Sequence, residues 1–132
     1  MRVVLVGTGP GAEALAAELA TEDVAVTRWP EQREPRDASE EIAAIARSLR
    51  EFEGALEDGG YDAVLAVSRS AASLAAVIVA TKLRTPVAAI RLAEGEADGV
   101  DATLVHRLAD ADVAPEAASI AAWLRETYTE RP

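Results

Sequence analysis

The sequence predicts an α/β fold: a single Rossmann-like domain with an open, mostly parallel five-stranded sheet in the order 2-1-3-4-5 and helices on both faces. Three observations predict it. Short β-branched segments alternate with longer segments of helical spacing. Gly- or Ser-containing turns join two of these strands directly to helices. The chain has 132 residues, 50% hydrophobic but only 4% aromatic. That length suits one domain over residues 1–132, and that composition suits helices and buried parallel strands.

The predicted strands are short, rich in Val, Ala and Leu, and bounded by turn residues. They cover residues 2–6, 23–28, 63–67, 87–91 and 112–114. The third and fourth are continuously apolar, which is typical of parallel strands buried on both faces. The fifth is minimal. In the order 2-1-3-4-5 the switch point lies between the first and third strands, and ligands of open α/β sheets bind there, outside the carboxyl ends of the strands.

The predicted helices show apolar positions at helical spacing or capping residues at their ends. They cover residues 12–20, 39–57, 71–83, 102–108 and 115–128. Ser39 is the expected N-cap of the second helix, and glycines 59 and 60 are expected to end it. Pro115 suits the first turn of the last helix. The third helix, AASLAAVIVATKL, has almost no polar face, which predicts that a partner molecule covers it.

The charge of the chain argues against two classes of partner. The formal net charge is −10, whereas a nucleic-acid binder needs a basic face and an anionic membrane surface repels an acidic protein. The chain has no cysteine, so disulfides, thiolate chemistry and Cys-based zinc sites are excluded. No His or carboxylate cluster has the spacing of a metal site, and no apolar run is long enough to span a bilayer. We expect a cytoplasmic protein.

A glycine-rich turn follows the first strand. Gly7, Thr8, Gly9 and Gly11 belong to a loose Gly-x-Gly-x-x-Ala pattern between a strand and a helix. Such turns let the backbone approach a phosphate at a helix N-terminus, although a tight turn needs glycine in any case. Where a dinucleotide-binding fold carries an acid at the end of the second strand, this chain has Arg28, which suits the 2′-phosphate of NADP.

Arginines are predicted at the carboxyl ends of three strands. Arg28, Arg69 and Arg91 follow the second, third and fourth strands, and Ser68 and Ser70 flank the middle one. Guanidinium groups suit bidentate binding of phosphate or carboxylate, and the serines suit either an anion site or a plain helix cap. The alternative is that the arginines form ion pairs with the acidic loop after the fourth strand.

Three further side chains are assigned structural roles. His106 is the only histidine and is interpreted as a packing or surface residue. Trp29 is expected to cover the end of the sheet rather than to stack on a base. Trp123 is expected in the core or at an interface.

Four stretches of the chain resemble UDP-N-acetylglucosamine 2-epimerases. Residues 7–12 resemble the opening Gly-Thr-Arg-Pro-Glu-Ala of that family, and residues 61–95 align without a gap to the stretch that contains His-Gly-Asp-Thr and Glu-Ala-Gly. Residues 98–102 fall where the family has Glu-Glu-x-Asn-Arg, and residues 109–115 resemble the segment ending in Phe-x-Pro-Thr. The resemblance implies the first, Rossmann-like domain of a two-domain nucleotide-sugar enzyme. It also implies a homodimer, because family members commonly pair through this domain.

Two family acids are replaced by arginine at Arg69 and Arg91. Because a guanidinium cannot accept a proton near neutral pH, we expect no catalytic residue and a degenerate relative that serves as a nucleotide-sugar or anion-binding module or as an assembly module. Two alternatives stay open. One is a subunit of a split enzyme whose second domain is on a partner chain. The other is an accessory domain that binds NAD(P). No cofactor is expected, with a UDP-sugar or NADP as the candidate ligands.

Overall fold

One sheet organises the computed structural model, which describes residues 1–7, 10–29, 37–67, 71–91 and 100–130. Its strands are β1 (Arg2–Val6), β2 (Ala25–Trp29), β3 (Ala63–Ala66), β4 (Val87–Ile90) and β5 (Ala111–Val113). They lie in the order β2-β1-β3-β4-β5, and every neighbouring pair is parallel. The predicted α/β class and strand order are therefore confirmed, with a sheet that is parallel throughout.

Helices cover both faces of this sheet. They are α1 (Pro10–Ala20), α2 (Ala38–Gly59), α3 (Ala71–Lys82), α4 (Val100–Leu108) and α5 (Ala117–Glu130). Side chains of α1 and α5 pack on one face with Val3, Leu5 and Leu65. Side chains of α2, α3 and α4 pack on the other face with alternate residues of the same strands. Within the described ranges, no helix is both long and apolar enough to cross a membrane.

The N-cap of α2 differs from the prediction. Asp37 has extended backbone angles, and its carboxylate accepts a hydrogen bond from the Glu40 N–H at 2.9 Å. The helix therefore begins two residues before the position predicted from Ser39, because a carboxylate at Asp37 serves the same capping role as a hydroxyl and complements the helix dipole better. The other end agrees with the prediction: Gly60 caps it in the left-handed conformation, with φ of 63°.

Strand and helix limits shift elsewhere by one to a few residues. Strand β2 begins later than predicted because Asp23 adopts a left-handed turn conformation, with φ of 62°. It also includes Trp29, which is in register with Val6 at the end of β1. Helices α1 and α4 begin two residues earlier than predicted, α5 begins two residues later than the predicted Pro115, and β5 begins one residue earlier.

Two aspartates extend strand pairing at the amino edge of the sheet. Asp62 donates its N–H to the Arg2 carbonyl at 2.7 Å, and its carboxylate accepts from the Arg2 N–H at 2.8 Å. Asp110 pairs with Val87 in the same way, through two bonds of 2.8 Å. Each aspartate thus bonds to both backbone groups of a residue at the start of a neighbouring strand. These bonds stabilise the amino edge of the sheet, opposite to the carboxyl edge that holds the candidate site.

Helix α3 is covered by its own chain. Ala75, Ala76, Val77 and Ala80 are fully buried, and Ile78 is half-buried. The cover comes from α2 on one side, α4 on the other and the sheet beneath. The expectation that this helix needs a second molecule is therefore wrong, because the long helix α2 and the short helix α4 supply the apolar surroundings. A homodimer stays a prediction, but the apolar character of α3 no longer supports it.

Candidate functional site

The carboxyl edge between β1 and β3 is the switch point of the sheet. A hydrogen bond of 3.0 Å from the Val67 N–H to the Val6 carbonyl holds the two strands together up to their ends. Beyond it, Gly7 has φ of 155°, a value that side chains other than glycine rarely allow. Helix α1 then begins at Pro10, and its first turn contains Gly11. The switch-point crevice between β1 and β3 is the place where open α/β folds bind ligands.

Arg28 lies against the end of β1. It is in register with Leu5, so its side chain emerges on the face covered by α1 and α5. Its Nη2 donates a hydrogen bond of 2.9 Å to the Gly7 carbonyl. Its Nε is buried and meets no acceptor among the residues that the structure describes. The half-buried guanidinium is thus fixed on Gly7, three residues before α1 begins, and one of its donors is shielded from water.

Arg91 meets a different pair of residues. It directly follows β4, and its Nη2 lies 3.5 Å from Nε2 of His106 on α4. The other ring nitrogen of His106, Nδ1, is hydrogen-bonded to Oδ1 of Asp112 on β5. Asp112 is in register with Ala89, which packs on the face covered by α2, α3 and α4. The three side chains therefore form a line from β4 through α4 to β5 on that face.

The predicted site residues divide into two groups and a remainder. Arg28 contacts Gly7 at the end of β1, and Gly11 lies in the first turn of the helix that follows. Arg91 lies apart, because β1 and β3 separate β2 from β4 by about 14 Å and the two arginines emerge on opposite faces. The remaining predicted residues lie outside the described part of the chain, as does the acidic loop after β4; they are Thr8, Gly9, Ser68, Arg69 and Ser70.

Sequence reasoning did not connect His106 with Asp112. Only two residues separate α4 from β5. This tight turn brings His106 into contact with Asp112, six positions later in the chain. Asp112 is exposed on an edge strand, where an acid is ordinary, so no local pattern in the sequence signals this contact.

The two tryptophans have the structural roles expected of them. The ring of Trp29 packs against Phe52 of α2, with ring centroids 4.4 Å apart, on the face opposite to Arg28. Trp123 is partly buried against the core beneath α1 and α5.

The described residues of the crevice offer donors rather than metal ligands. Within the described ranges, no three His, Cys, Asp or Glu side chains converge so as to hold a metal ion. The groups present are the Arg28 guanidinium and the backbone N–H groups in the first turn of α1, which lack partners inside the helix. This set of groups is suited to binding an anion.

No protein-family model matches the chain, and neither does any curated protein sequence. Solved structures do match the fold of this chain, among them structures of UDP-GlcNAc 2-epimerases. The UDP-GlcNAc 2-epimerase from Methanocaldococcus jannaschii matches with a TM-score of 0.67 and 17% identity over 96% of this chain. The enzyme from Neisseria meningitidis bound to UDP-GlcNAc matches with a TM-score of 0.68 and 19% identity over 96% of this chain.

A third match has the same character. The complex of S. aureus MnaA with UDP has a TM-score of 0.66 and 17% identity over 98% of this chain. The chain spans 43%, 44% and 42% of the length of these three proteins, in the order given. The likeness confirms the Rossmann-like fold that the sequence resemblance implied, and it covers less than half of each of these proteins.

Proposed function

We propose that this chain is a nucleotide-sugar-binding domain that holds the diphosphate of UDP or of a UDP-sugar at the crevice between β1 and β3. One observation carries the proposal: the Arg28 guanidinium is fixed on the Gly7 carbonyl, at the end of β1 and three residues before α1 begins. The ligand class is suggested by the solved structures that share the fold, two of which hold UDP or UDP-GlcNAc.

Preorganisation of Arg28 favours anion binding. A surface arginine must lose the freedom of its long side chain when it binds an anion, whereas the Gly7 carbonyl already restrains Arg28. Charge-assisted hydrogen bonds from a guanidinium to phosphate are about twice as strong as neutral ones. The N–H groups of the first turn and the partial positive charge at the start of α1 favour the same anion. The chain has a net charge of −10. A local group of donors in such an acidic chain is better explained by binding of a phosphate than by a purely structural role.

Epimerisation is not part of the proposal. The resemblance places Arg69 and Arg91 where the epimerases carry acids, and arginine stays protonated and accepts no hydrogen bond. A reaction that removes and returns a proton needs a base near neutral pH. We therefore infer a binding role, either in this chain alone or beside a partner chain that supplies the rest of the nucleotide site.

Replacing Arg28 with alanine is expected to weaken UDP binding about 10- to 150-fold, the range that corresponds to one hydrogen bond to a charged group. Isothermal titration calorimetry with UDP, UDP-GlcNAc, NADP and inorganic phosphate measures this directly. Arg28→Lys is expected to be intermediate, because a lysine keeps the charge but lacks the planar fork. Arg47→Ala, at an exposed position on α2, is the control and is expected to bind like the parent chain.

The same panel separates the alternatives. Selective binding of NADP that is lost in Arg28→Ala would favour the NAD(P)-binding alternative over the UDP proposal. Binding of UDP that does not change in Arg28→Ala would contradict the role of Arg28. Binding of none of the four ligands by the isolated chain would contradict the proposal for this chain alone and leave the split-enzyme alternative.

We propose homodimer formation as a second function, through the groove between α2 and α3. The groove has a volume of about 250 Å³ and is lined by Leu49, Arg50, Glu53, Ile78, Val79, Lys82 and Leu83. Ile42 lies seven residues before Leu49 on the same stripe of α2, and it is 68% exposed. Both signs of charge border the groove. A second copy, related by a twofold axis, can therefore place its Glu53 opposite Lys82 or Arg50, as a self-complementary interface requires.

Substituting Ile42 with glutamate is expected to weaken the dimer about tenfold or more, because it places a charge in an apolar contact. Sedimentation equilibrium measures the dissociation constant. Leu104→Glu on α4, also a change from an exposed aliphatic residue to glutamate, is the control and is expected to leave the dimer unchanged. A parent chain that sediments as a monomer would contradict the proposal, as would equal effects of the two variants.

A further inference from the structure

The cluster formed by Arg91, His106 and Asp112 has no part in the proposed nucleotide crevice. It lies on the other face of the sheet, at strands β4 and β5, whereas the crevice lies at β1, β2 and β3. The imidazole of His106 is 21% exposed and the Asp112 side chain is 64% exposed, so a small ligand can reach both from solvent. Exposed ion pairs contribute little to stability, so stabilisation of the fold does not by itself explain this cluster.

Hydrogen-bond chemistry fixes the tautomer of His106 when the ring is neutral. The Asp112 carboxylate only accepts, so Nδ1 carries the proton and donates to it. Arg91 only donates, so Nε2 presents its lone pair to the guanidinium, at a distance of 3.5 Å. That contact is long for a hydrogen bond. With a neutral imidazole, both ring nitrogens therefore have a partner, but the contact with Arg91 is weak.

Protonation of His106 changes what the cluster can bind. Nε2 then also becomes a donor, and it faces the donors of Arg91 across 3.5 Å. The two positive groups repel each other, and an anionic acceptor that bonds to both of them from one side offsets this repulsion. The carboxylate of Asp112 stays on the opposite nitrogen and offsets the charge of the imidazolium. A phosphate group supplies the missing acceptor, because its oxygens accept bonds from a guanidinium and an imidazolium at once.

We propose that Arg91, His106 and Asp112 form a second anion site, which binds a phosphate group by taking up a proton at His106. Arg91 and His106 contact the phosphate, and Asp112 is a positioning residue that acts through the imidazole. Within the described part of the chain, the charged groups facing His106 are Arg91 from the end of β4 and Asp112 from β5. Helix α3, which also packs against α4, has no charged residue before Lys82.

The single histidine makes the test direct, because the ring protons of His106 are the only imidazole signals of the chain. Their chemical shifts are followed by NMR between about pH 5 and pH 8, the range in which histidines titrate. The titration is run in inorganic phosphate and in chloride of matched ionic strength. A ligand that binds the protonated form about tenfold more tightly raises the titration midpoint by about one pH unit at saturation. We expect such a rise in phosphate and not in chloride.

Three variants identify the residues involved. Arg91→Gln is expected to abolish the phosphate-dependent rise, and Asp112→Asn is expected to reduce the rise, because the imidazole loses the carboxylate that positions it. Arg107→Gln, the neighbouring exposed arginine on α4, is the control and is expected to keep the full rise. Arg28→Ala is also expected to keep it, so failure of the nucleotide proposal and failure of this one give different results.

Any of three outcomes would overturn the proposal. The first is an equal midpoint in phosphate and chloride. The second is a phosphate-dependent rise that survives Arg91→Gln, since that points to general screening. The third is an equal rise in acetate, since a site that reads any carboxylate is not built for phosphate. Circular dichroism of each variant confirms that the fold is kept.

Discussion

Replacing Phe52 with alanine is expected to lower the free energy of unfolding by about 3–5 kcal/mol. Phe52 is the largest of the fully buried side chains, with no exposed surface. Its ring packs on Trp29, and it belongs to the core that joins α2 to the sheet and to α3. Truncation removes the transfer free energy of the ring and leaves a cavity beneath a long helix that has few other aromatic contacts.

Urea unfolding followed by far-ultraviolet circular dichroism measures this loss. Phe52→Leu is the matched control, because it keeps most of the apolar volume and is expected to cost clearly less than the alanine. Trp29 reports locally, since its fluorescence depends on the ring that packs against it, whereas Trp123 packs on the opposite face of the sheet. Equal stabilities of the parent and the alanine variant would contradict the packing of α2 described above.

The fold was predictable from the sequence because its strands have a local signature. The third and fourth strands are continuous apolar runs, and each precedes or follows a helix-forming segment, so parallel pairing with crossover helices was the available solution. Limits were less predictable where two residues offer the same capping chemistry. Asp37 and Ser39 are both good N-caps, and the choice between them depends on where the preceding chain delivers the backbone.

The covering of α3 was not predictable from its own residues. Its apolar character shows that it must be buried, but not by what. The cover comes from α2, which buries Ser48, Phe52 and Leu56, and from α4. A helix without a polar face indicates burial on most sides, and a chain of this length can provide that burial itself.

The candidate sites divide in the same way. Arg28 was identified from its position at the end of a strand, but its bond to the Gly7 carbonyl depends on the backbone of a turn. The contact between His106 and Asp112 joins a helix to an edge strand, and no local pattern encodes it. Arg91 was grouped with Arg28 because both follow strands. Strand order and the alternation of side chains along a strand place them on opposite faces.

Introducing an aspartate in place of Ala76 is expected to prevent folding. Ala76 lies within α3, is fully buried and packs in the core shared with α2 and the sheet. A carboxylate there has no cation to pair with among the apolar residues of that core, and the penalty for burying an unpaired charge is several kcal/mol. A domain of this kind has a total stability of about 5–15 kcal/mol, so most of that stability is lost.

Soluble yield, circular dichroism and urea unfolding measure the effect of Ala76→Asp. Ala43→Asp is the matched control, because it makes the same change at an exposed position in the helix α2 and is expected to cost only about 0.7 kcal/mol in helix propensity. The contrary outcome is informative. If Ala76→Asp folds normally and only lowers the mass of an oligomer, then α3 is covered by a second molecule after all. If it unfolds as expected while Ile42→Glu folds and weakens the dimer, the core and the interface lie on different sides of the α2–α3 layer.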